Sequence, residues 1–352
     1  MNKTFKNKIS IAGVNIGADS SPYIIAEMSA NHNGKIENAY KIIDAAKEAG
    51  ADAVKIQTYR ADTITIDSKN PEFIINEGPW AGQSLYELYQ KAHMPWEWHK
   101  PLFDYANNIG MTIFSSPFDK TAVDLLEKLE CPAYKIASFE IVDHELIKNA
   151  AETGKPIIIS TGMASLEEIS EAVSVAKDAG CDQLVILHCV SGYPTAPEDY
   201  NLARIEHLQK EFEALVGLSD HTISNMTANA AVALGASVIE KHFTLDRNGG
   251  GPDDSFSMEP ADLLDLCETT KVTHSSIGAV KYAALEAEKW SIDHRRSLYF
   301  IKDLEKGARI DRDCVRSIRP GNGLKPKHLK AILGKCVNRN IKAGTPVSFN
   351  DF

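Results

Sequence analysis

The sequence contains few cysteines, and none of them is arranged as a metal-binding or redox motif. Six cysteines are scattered over 352 residues without a C-x-x-C pair. The N-terminal stretch is basic but lacks the apolar segment of a signal peptide. In a chain without a secretion signal, scattered cysteines are expected to be reduced thiols. We therefore expect a cytoplasmic protein.

Long apolar runs and an excess of positive charge are also missing. A transmembrane helix needs about 20 predominantly apolar residues, and no run of that length occurs. The formal net charge is -10, from 38 Lys and Arg against 48 Asp and Glu, which argues against a nucleic-acid-binding surface. We expect neither nucleic acid nor a membrane as a partner. A local group of lysines can still hold an anionic substrate in a cleft.

What the sequence does contain is one repeating pattern between residues 22 and 280. Short apolar, β-branched runs alternate with helical segments, which predicts βα units. The eight runs lie at residues 23–26, 53–56, 111–114, 133–136, 156–160, 184–188, 214–218 and 237–240. Eight such units over about 250 residues predict an α/β fold of the TIM (β/α)8 barrel type. An open, doubly wound sheet is the alternative, since the number of strands alone does not establish closure.

The repeating pattern stops near residue 280. Residues 281–293 form a charged connector, and the remainder has short strands, many turns and frequent glycine and proline. Two segments of this remainder resemble each other, with Gly307 and Gly344 at equivalent places. We predict a catalytic barrel over residues 1–280 with a hairpin at residues 5–20, a linker at 281–293 and a small, mostly β module at 294–352.

Polar residues end almost every predicted strand. In TIM-barrel enzymes the catalytic residues lie at the C-terminal ends of the strands. A single serine there usually caps the next helix, and a single lysine is usually a surface residue. Two lysines, Lys55 and Lys135, together with several serines or threonines on one rim would instead form a phosphate-binding site.

His221 and His242 are separated by 21 positions, about one βα unit. The same position on neighbouring strands would place the two imidazoles side by side, as in a divalent metal site with open coordination positions. The alternative is that they are structural histidines. Glu27 ends the first strand on the same rim, and partial burial should raise its pKa, which makes it a candidate acid–base group.

Nine short motifs, in order along the chain, resemble the sialic acid synthase family. They are AEMSANHNG (26–34), AVKIQT (53–58), SSPFD (115–119), YKIAS with Glu140, STGM (160–163), GYPT (192–195), GLSDHT (217–222), EKHFTLDR (240–247) and GPDD (251–254). Three further segments, RRSLY (295–299), RPGNG (319–323) and LGK (333–335), resemble the antifreeze-like, or SAF, domain of that family. The resemblance covers essentially the whole chain and implies a transferase that joins phosphoenolpyruvate to an amino-sugar aldehyde.

The resemblance also implies a role for individual residues. His221 and His242 would bind Mn²⁺ or Mg²⁺. Glu27 would steer or deprotonate a water molecule or, alternatively, serve the step at C3 of phosphoenolpyruvate. Phosphoenolpyruvate would be held by two lysines and several serines: Lys55, Ser116, Lys135, Ser138, Ser160, Ser191 and Ser219. The sugar would be held by Gln57, Glu140, Tyr193, Asp253 and Arg319. Arg319 would come from the other subunit of a domain-swapped homodimer, and its planar guanidinium suits bidentate recognition.

Three features resemble the branch of the family that makes pseudaminic acid. They are the segment Met28-Ser29-Ala30, the block at residues 78–98, and Ser191-Gly192. Neuraminate synthases have an Asn phosphate ligand at the last of these places, so Ser191 or a backbone N–H must replace it. The implied sugar, 2,4-diacetamido-2,4,6-trideoxy-L-altropyranose, has no 6-hydroxyl. Its pocket should be apolar at one end, for which Met28, Trp80 and Phe256 are the candidates.

Three alternatives remain open on the sequence. The nearest is a neuraminic or legionaminic acid synthase of the same family. A second is a different phosphosugar aldolase or isomerase barrel, in which Lys135 or Lys241 could form a Schiff base. A third is a carbohydrate- or ice-binding module attached to an inactive barrel.

Overall fold

The computed structural model describes residues 4–78 and 80–352. Pro79, within the block at residues 78–98, lies outside the described residues. The chain divides into two compact units, Met1–Gly278 and Ala279–Phe352, and each unit contains its own hydrophobic cluster.

The first unit begins with a hairpin and continues into a closed barrel. Strands β1 (Lys8–Ile11) and β2 (Val14–Gly17) pair in antiparallel fashion. Eight parallel strands follow: β3 (Tyr23–Glu27), β4 (Ala53–Thr58), β5 (Thr112–Pro117), β6 (Tyr134–Ile136), β7 (Ile157–Ser160), β8 (Leu184–Cys189), β9 (Leu215–Asp220) and β10 (Val238–His242). Strand β10 closes the barrel against β3, with His242 opposite Glu27. The TIM-type barrel predicted from the sequence is confirmed, and the open sheet is excluded.

The barrel strands are apolar because both of their faces are covered. Every residue of β3, β8 and β9 is buried. This is expected for parallel strands whose inner face packs in the barrel interior and whose outer face is covered by helices. The covering helices are α1 (Ile36–Glu48), α2 (Ala61–Ile64), α3 (Leu85–Ala92), α4 (Trp96–Ile109), α5 (Lys120–Lys128), α6 (His144–Ala151), α7 (Leu166–Asp178), α8 (Arg204–Phe212), α9 (Met226–Ala233) and α10 (Pro260–Ile277). None of the helices within residues 4–78 and 80–352 is both long enough and apolar enough to cross a membrane.

The segment between β4 and α4 is longer than a simple βα connection. It contains α2, a turn of 3-10 helix at Pro71–Phe73 and α3. A bridge between Ile74 and Ser84 closes a loop that includes Trp80. This insertion supplies Trp80 to the candidate site described below.

The second unit is small and mostly irregular. It contains α11 (Lys289–Asp293), the antiparallel strands β11 (Ser297–Phe300) and β12 (Val315–Ile318), and α12 (Leu329–Ile332). Bridges join Leu304 to Ile341 and Arg309 to Cys336. Gly307 and Gly344, the two equivalent glycines of the sequence, have φ angles of 88° and 86°, a region that glycine adopts without steric cost.

Candidate active site

The C-terminal ends of the barrel strands place the predicted polar residues on one rim. Strands β5, β9 and β10 extend into the polar residues that follow their apolar runs, so that Ser116, Ser219 and His242 lie within strands. Alternation along β10 separates neighbouring side chains. Glu240 contacts residues of β4, β6 and β9, whereas Lys241 contacts Asp220 and the loop that follows it.

Two buried lysines approach one buried carboxylate. Lys55 Nζ lies 2.9 Å from Glu27 Oε2 and 3.5 Å from Glu240 Oε1, and it donates to Ser116 Oγ at 3.2 Å. Lys135 Nζ lies 4.0 Å from the same Glu240 oxygen and donates to the carbonyl of Ile136 at 3.0 Å. Within the described residues, Lys55 therefore has two carboxylates within 4.0 Å, whereas Lys135 has one, at the limit of that distance.

Burial and these neighbours determine the protonation of the cluster. Burial lowers the pKa of Lys55, but the carboxylates of Glu240 and Glu27 more than offset it and leave that pKa raised. The pKa of Lys135 is lowered, chiefly by burial. Burial raises the pKa of Glu27 despite the nearby Lys55, and Lys135 and Lys55 together overcome burial to lower the pKa of Glu240. An anionic ligand beside Lys135 would stabilise its charged form.

The strand-end serines are not helix caps. Helices α5, α6 and α7 are capped by the side chains of Asp119, Asp143 and Ser165. Four strand-end serines are buried and cap none of these three helices: Ser116, Ser138, Ser160 and Ser219. The hydroxyls of Ser160 and Ser191 have no hydrogen-bond partner within the described part of the chain.

Gly162 brings two of these serines together. Its φ is +44°, and a Cβ atom there would lie 2.6 Å from Ser138 Oγ and 2.8 Å from Ser191 Oγ. Only glycine leaves room at this position. Buried hydroxyls without a protein partner, such as those of Ser160 and Ser191 within the described chain, are suitable donors to phosphate or carboxylate oxygens.

His221 and His242 lie side by side, as their spacing predicts, with ring centroids 5.4 Å apart. His221 Nδ1 donates to the carbonyl of Val190 at 2.8 Å, so a neutral imidazole would carry its lone pair on Nε2. Burial lowers the pKa of His221, but the neighbouring Cys189 more than offsets it and leaves that pKa raised. Burial, with smaller contributions from His221 and the lysines, lowers the pKa of His242 well below its ordinary value. A neutral imidazole is the form that binds metal ions.

The donor set fits a divalent ion held by two protein ligands. His242 Nδ1 is buried without a hydrogen-bond partner among the residues that the structure describes, and it lies 3.9 Å from Asp253 Oδ2. Over the same residues, no group of three or more His, Cys, Asp and Glu side chains is arranged to hold a metal. Two imidazoles alone would leave several coordination positions for water and substrate.

Hydrogen bonds link two of the residues predicted to hold the sugar, Gln57 and Asp253, to each other through Ser29 and to Glu27. Gln57 Nε2 donates to Glu27 Oε1 at 2.8 Å and to Ser29 Oγ at 3.0 Å, and Ser29 Oγ donates to Asp253 Oδ2 at 2.5 Å. The Glu140 Oε2 atom has no hydrogen-bond partner in the described chain, and burial raises the pKa of this carboxyl to about 7.

Two aromatic rings, Tyr193 and Phe256, lie beside the histidines, and Trp80 lies beside both of these rings. We call Trp80, Tyr193 and Phe256 the aromatic wall. The Tyr193 ring lies 4.4 Å from His221 and 5.2 Å from Phe256 between centroids. Trp80 lies 6.0 Å from Tyr193. Met28, the third apolar candidate, is instead fully buried in the hydrophobic core of the barrel.

A loop fixes His221 through its backbone as well as its ring. His221 N donates to Tyr200 Oη at 2.6 Å, Tyr200 Oη donates to the carbonyl of Ser219 at 3.2 Å, and Thr195 N donates to the carbonyl of His221 at 3.0 Å. Tyr200 is fully buried. The loop after β8 thus surrounds His221 while carrying Ser191 and Tyr193.

Lys241, the alternative Schiff-base candidate, lies outside this cluster. Lys241 Nζ is occupied by Asp220 Oδ2 at 2.8 Å and by the carbonyls of Thr222 and Ser224 at 2.8 and 3.0 Å, so it faces away from the lysine and serine cluster. Arg319 is exposed and belongs to the second unit.

Glu240, Ser29 and Tyr200 are site residues that were not predicted. Glu240 could have been identified because it precedes His242 by two residues in one strand and so shares its face. Nothing in the sequence pattern indicates Tyr200, which reaches His221 only through the tertiary fold.

Comparison with known proteins gives a consistent result over the whole chain. Residues 42–282 match the model of the NeuB family and residues 295–352 that of the SAF domain. A pseudaminic acid synthase of Helicobacter pylori is 43% identical, covering 94% of this chain and 97% of that protein. One of Campylobacter jejuni is also 43% identical, covering 96% and 98%. A crystal structure of the N-acetylneuraminic acid synthetase of Leptospira borgpetersenii superposes with a TM-score of 0.73 at 31% identity, covering 82% of this chain and 96% of that one.

Proposed function

This chain belongs to the NeuB family, and we propose that it condenses phosphoenolpyruvate with 2,4-diacetamido-2,4,6-trideoxy-L-altropyranose to give pseudaminic acid and phosphate. The observation that carries the proposal is the juxtaposition of an anion-binding cluster with a pair of histidines on one barrel rim. The choice of sugar rests on the similarity to pseudaminic acid synthases over nearly the whole chain.

The anion-binding cluster would hold phosphoenolpyruvate. Lys135, with its single distant carboxylate, and Lys55 would pair with the phosphate and carboxylate groups. The hydroxyls of Ser116, Ser138, Ser160, Ser191 and Ser219 would complete the site. Ser191 would take the place of the Asn that neuraminate synthases carry there, since its hydroxyl is free and adjoins Ser138 through Gly162.

His221 and His242 would hold Mn²⁺ or Mg²⁺. The bound ion would supply Lewis-acid polarisation of the sugar aldehyde. The chain itself contributes the orientation of these ligands, because the bond from His221 Nδ1 to the Val190 carbonyl fixes the tautomer of that ring.

The reaction joins C3 of phosphoenolpyruvate to the aldehyde carbon of the open-chain sugar. This leaves positive charge at C2, where water adds, and the tetrahedral intermediate then expels phosphate by cleavage of the C–O bond. Glu27 would steer or deprotonate that water. Its raised pKa makes it a stronger base than an exposed glutamate, and Lys55 and Gln57 hold its two oxygens in place.

Gln57, Glu140, Tyr193 and Asp253 would bind the hydroxyl and acetamido groups of the sugar.

Arg319 of the partner subunit would complete the site in a domain-swapped homodimer. In support of a dimer, large apolar side chains are exposed between the ends of β6, β7 and β9 and the first turns of the helices that follow them: Phe139, Val142, Met163, Leu166, Ile223 and Met226. All six cysteines are free, which supports a reducing, cytoplasmic location.

Phosphate release from phosphoenolpyruvate tests the proposal. The assay compares the diacetamido-altrose, its legionaminic counterpart and N-acetylmannosamine, each with and without Mn²⁺. Metal-dependent release with the altrose sugar alone is expected. Release with only one of the other sugars would support the proposed reaction but refute the proposed sugar substrate. No release with any sugar would refute the proposed synthase activity.

A further inference from the structure

We propose that the aromatic wall binds the C6 end of the sugar and that Trp80 is the residue that selects a methyl group over a hydroxymethyl group there. The inference rests on the proposed function, because it assumes a six-carbon sugar with its aldehyde at the histidine pair. It assigns a role to the insertion between β4 and α4, which the chemistry at the barrel rim does not itself require.

The wall is long enough for an open-chain sugar. Phe256 lies 5.2 Å from His242 and 6.5 Å from Trp80 between ring centroids. The five carbon–carbon bonds of an extended hexose span about 6 Å in projection, at about 1.5 Å per bond. A sugar whose C1 lies at the histidines and which runs along the wall would therefore place C6 beside Phe256, and its C6 substituent would meet Trp80, the next ring of the wall.

Trp80 offers this end of the sugar a ring but no hydrogen-bond donor. Its indole Nε1–H already donates to the carbonyl of Pro252 at 3.1 Å. A methyl group would pack against the rings, whereas a hydroxyl there would lose its bonds to water without finding a partner on the indole.

Space for the bulkier groups lies next to the same ring. Trp80 also lines a cavity of about 590 Å³ together with Ala30, Asn33 and the glycines at 249–251. That volume is within the usual range for small-molecule sites. The acetamido group on C4 can occupy this space while C6 contacts the wall.

The test compares two sugars that differ only at C6: 2,4-diacetamido-2,4,6-trideoxy-L-altrose and its 6-hydroxy form. The wild-type protein should prefer the 6-deoxy sugar by about 10- to 100-fold in kcat/KM, the range that packing around one small group provides. Trp80→Ala should bring the ratio close to one, and Trp80→Phe should give an intermediate ratio. The matched control is Trp96→Phe, since Trp96 makes the same kind of bond, to the carbonyl of Tyr59 at 3.2 Å, outside the wall; it should leave the ratio unchanged.

An equal loss with both sugars in Trp80→Ala would overturn the inference, and so would the same change of ratio in Trp96→Phe. If the wild-type protein uses N-acetylmannosamine but neither altrose sugar, the proposed substrate fails. The same comparison is then made with N-acetylmannosamine and its 6-deoxy form, and a ratio insensitive to Trp80 overturns the role of the wall. If no sugar is turned over, the binding of each 6-deoxy sugar and its 6-hydroxy form is compared by calorimetry in place of kcat/KM. Absence of binding would refute both the proposed function and the role of Trp80.

Discussion

The Glu240 carboxylate lies between the two buried lysines, with its Oε1 atom 3.5 Å from Lys55 Nζ and 4.0 Å from Lys135 Nζ. Among the described residues, this oxygen is the one carboxylate atom within 4.0 Å of Lys135 Nζ. We expect Glu240 to hold the two lysines in place until an anionic ligand binds.

Glu240→Gln should destabilise the free protein and increase the stabilisation that phosphoenolpyruvate provides. Removing one partner of a buried charge pair typically costs about 3 kcal/mol or more, and a bound anion would restore the missing negative charge. Thermal unfolding with and without phosphoenolpyruvate measures both effects. Glu206→Gln, which removes an exposed pair with Lys210, is the control. An unchanged melting temperature together with an unchanged ligand shift would refute the role of Glu240.

Lys135→Met should raise the KM for phosphoenolpyruvate by about 100-fold while the fold is retained. Hydrogen bonds to charged groups contribute about 1.5–3 kcal/mol, and burial already disfavours the charged form of Lys135. Steady-state kinetics at saturating sugar measure the change. Lys148→Met, at an exposed position paired with Glu152, should leave KM unaltered. A KM within threefold of the wild-type value would exclude Lys135 from the phosphate site.

Tyr200→Phe should weaken the binding of Mn²⁺ by about 10- to 100-fold, as the loss of supporting partners of metal ligands typically does. The substitution removes the hydroxyl that accepts from His221 N and leaves a buried N–H without a partner. Titration calorimetry with Mn²⁺ alone provides the measurement. The control, Tyr105→Phe, loses a hydroxyl bonded to Asp44 and should bind the ion normally. If both variants bind Mn²⁺ like the wild-type protein, Tyr200 does not position His221.

Glu140 should make the stability of the protein depend on pH between about 4.5 and 7. Burial raises the pKa of its carboxyl from 4.5 to about 7, so the folded chain binds this proton more tightly than the unfolded chain. Its contribution is fully present below pH 4.5 and is lost as the pH rises towards 7. Glu140→Gln does not titrate, so its stability relative to the wild type should increase over that interval, by up to about 3 kcal/mol.

Chemical denaturation at several pH values follows this difference. It should be constant above about pH 8, where Glu140 is ionised in both states. Glu152→Gln, a substitution at an exposed position, should follow the wild-type curve throughout. A constant difference between Glu140→Gln and the wild type from pH 4.5 to 8 would contradict the raised pKa.

The sequence predicts the barrel well because each strand is an apolar run with clear limits. It predicts the strand ends less well, since β5 and β9 extend into polar residues such as Ser116 and Ser219. Polar residues in a strand normally suggest that it has ended. Here they are tolerated because neighbouring polar side chains, including Lys55 and Glu240, meet them inside the barrel.

The sequence pattern does not predict which side chains point into the candidate site. Met28 was a candidate for the apolar end of the sugar pocket, but it follows Glu27, whose side chain lies in the site, and it points into the hydrophobic core. Glu240 shares a face of β10 with His242, but only the fold brings it to Lys55 and Lys135. Trp80 lies in an insertion without periodicity, so its contact with Tyr193 depends on tertiary structure alone.

The helix caps and the serines proposed to bind phosphate are different residues on this rim. Asp119, Asp143 and Ser165 begin helices α5, α6 and α7, whereas Ser116, Ser138 and Ser160 are free of that task. Loss of a helix cap typically costs about 1 kcal/mol, and replacing one of the free serines avoids this cost. New substrate preferences can therefore evolve on this scaffold by exchange of rim residues without a compensating change in the helices.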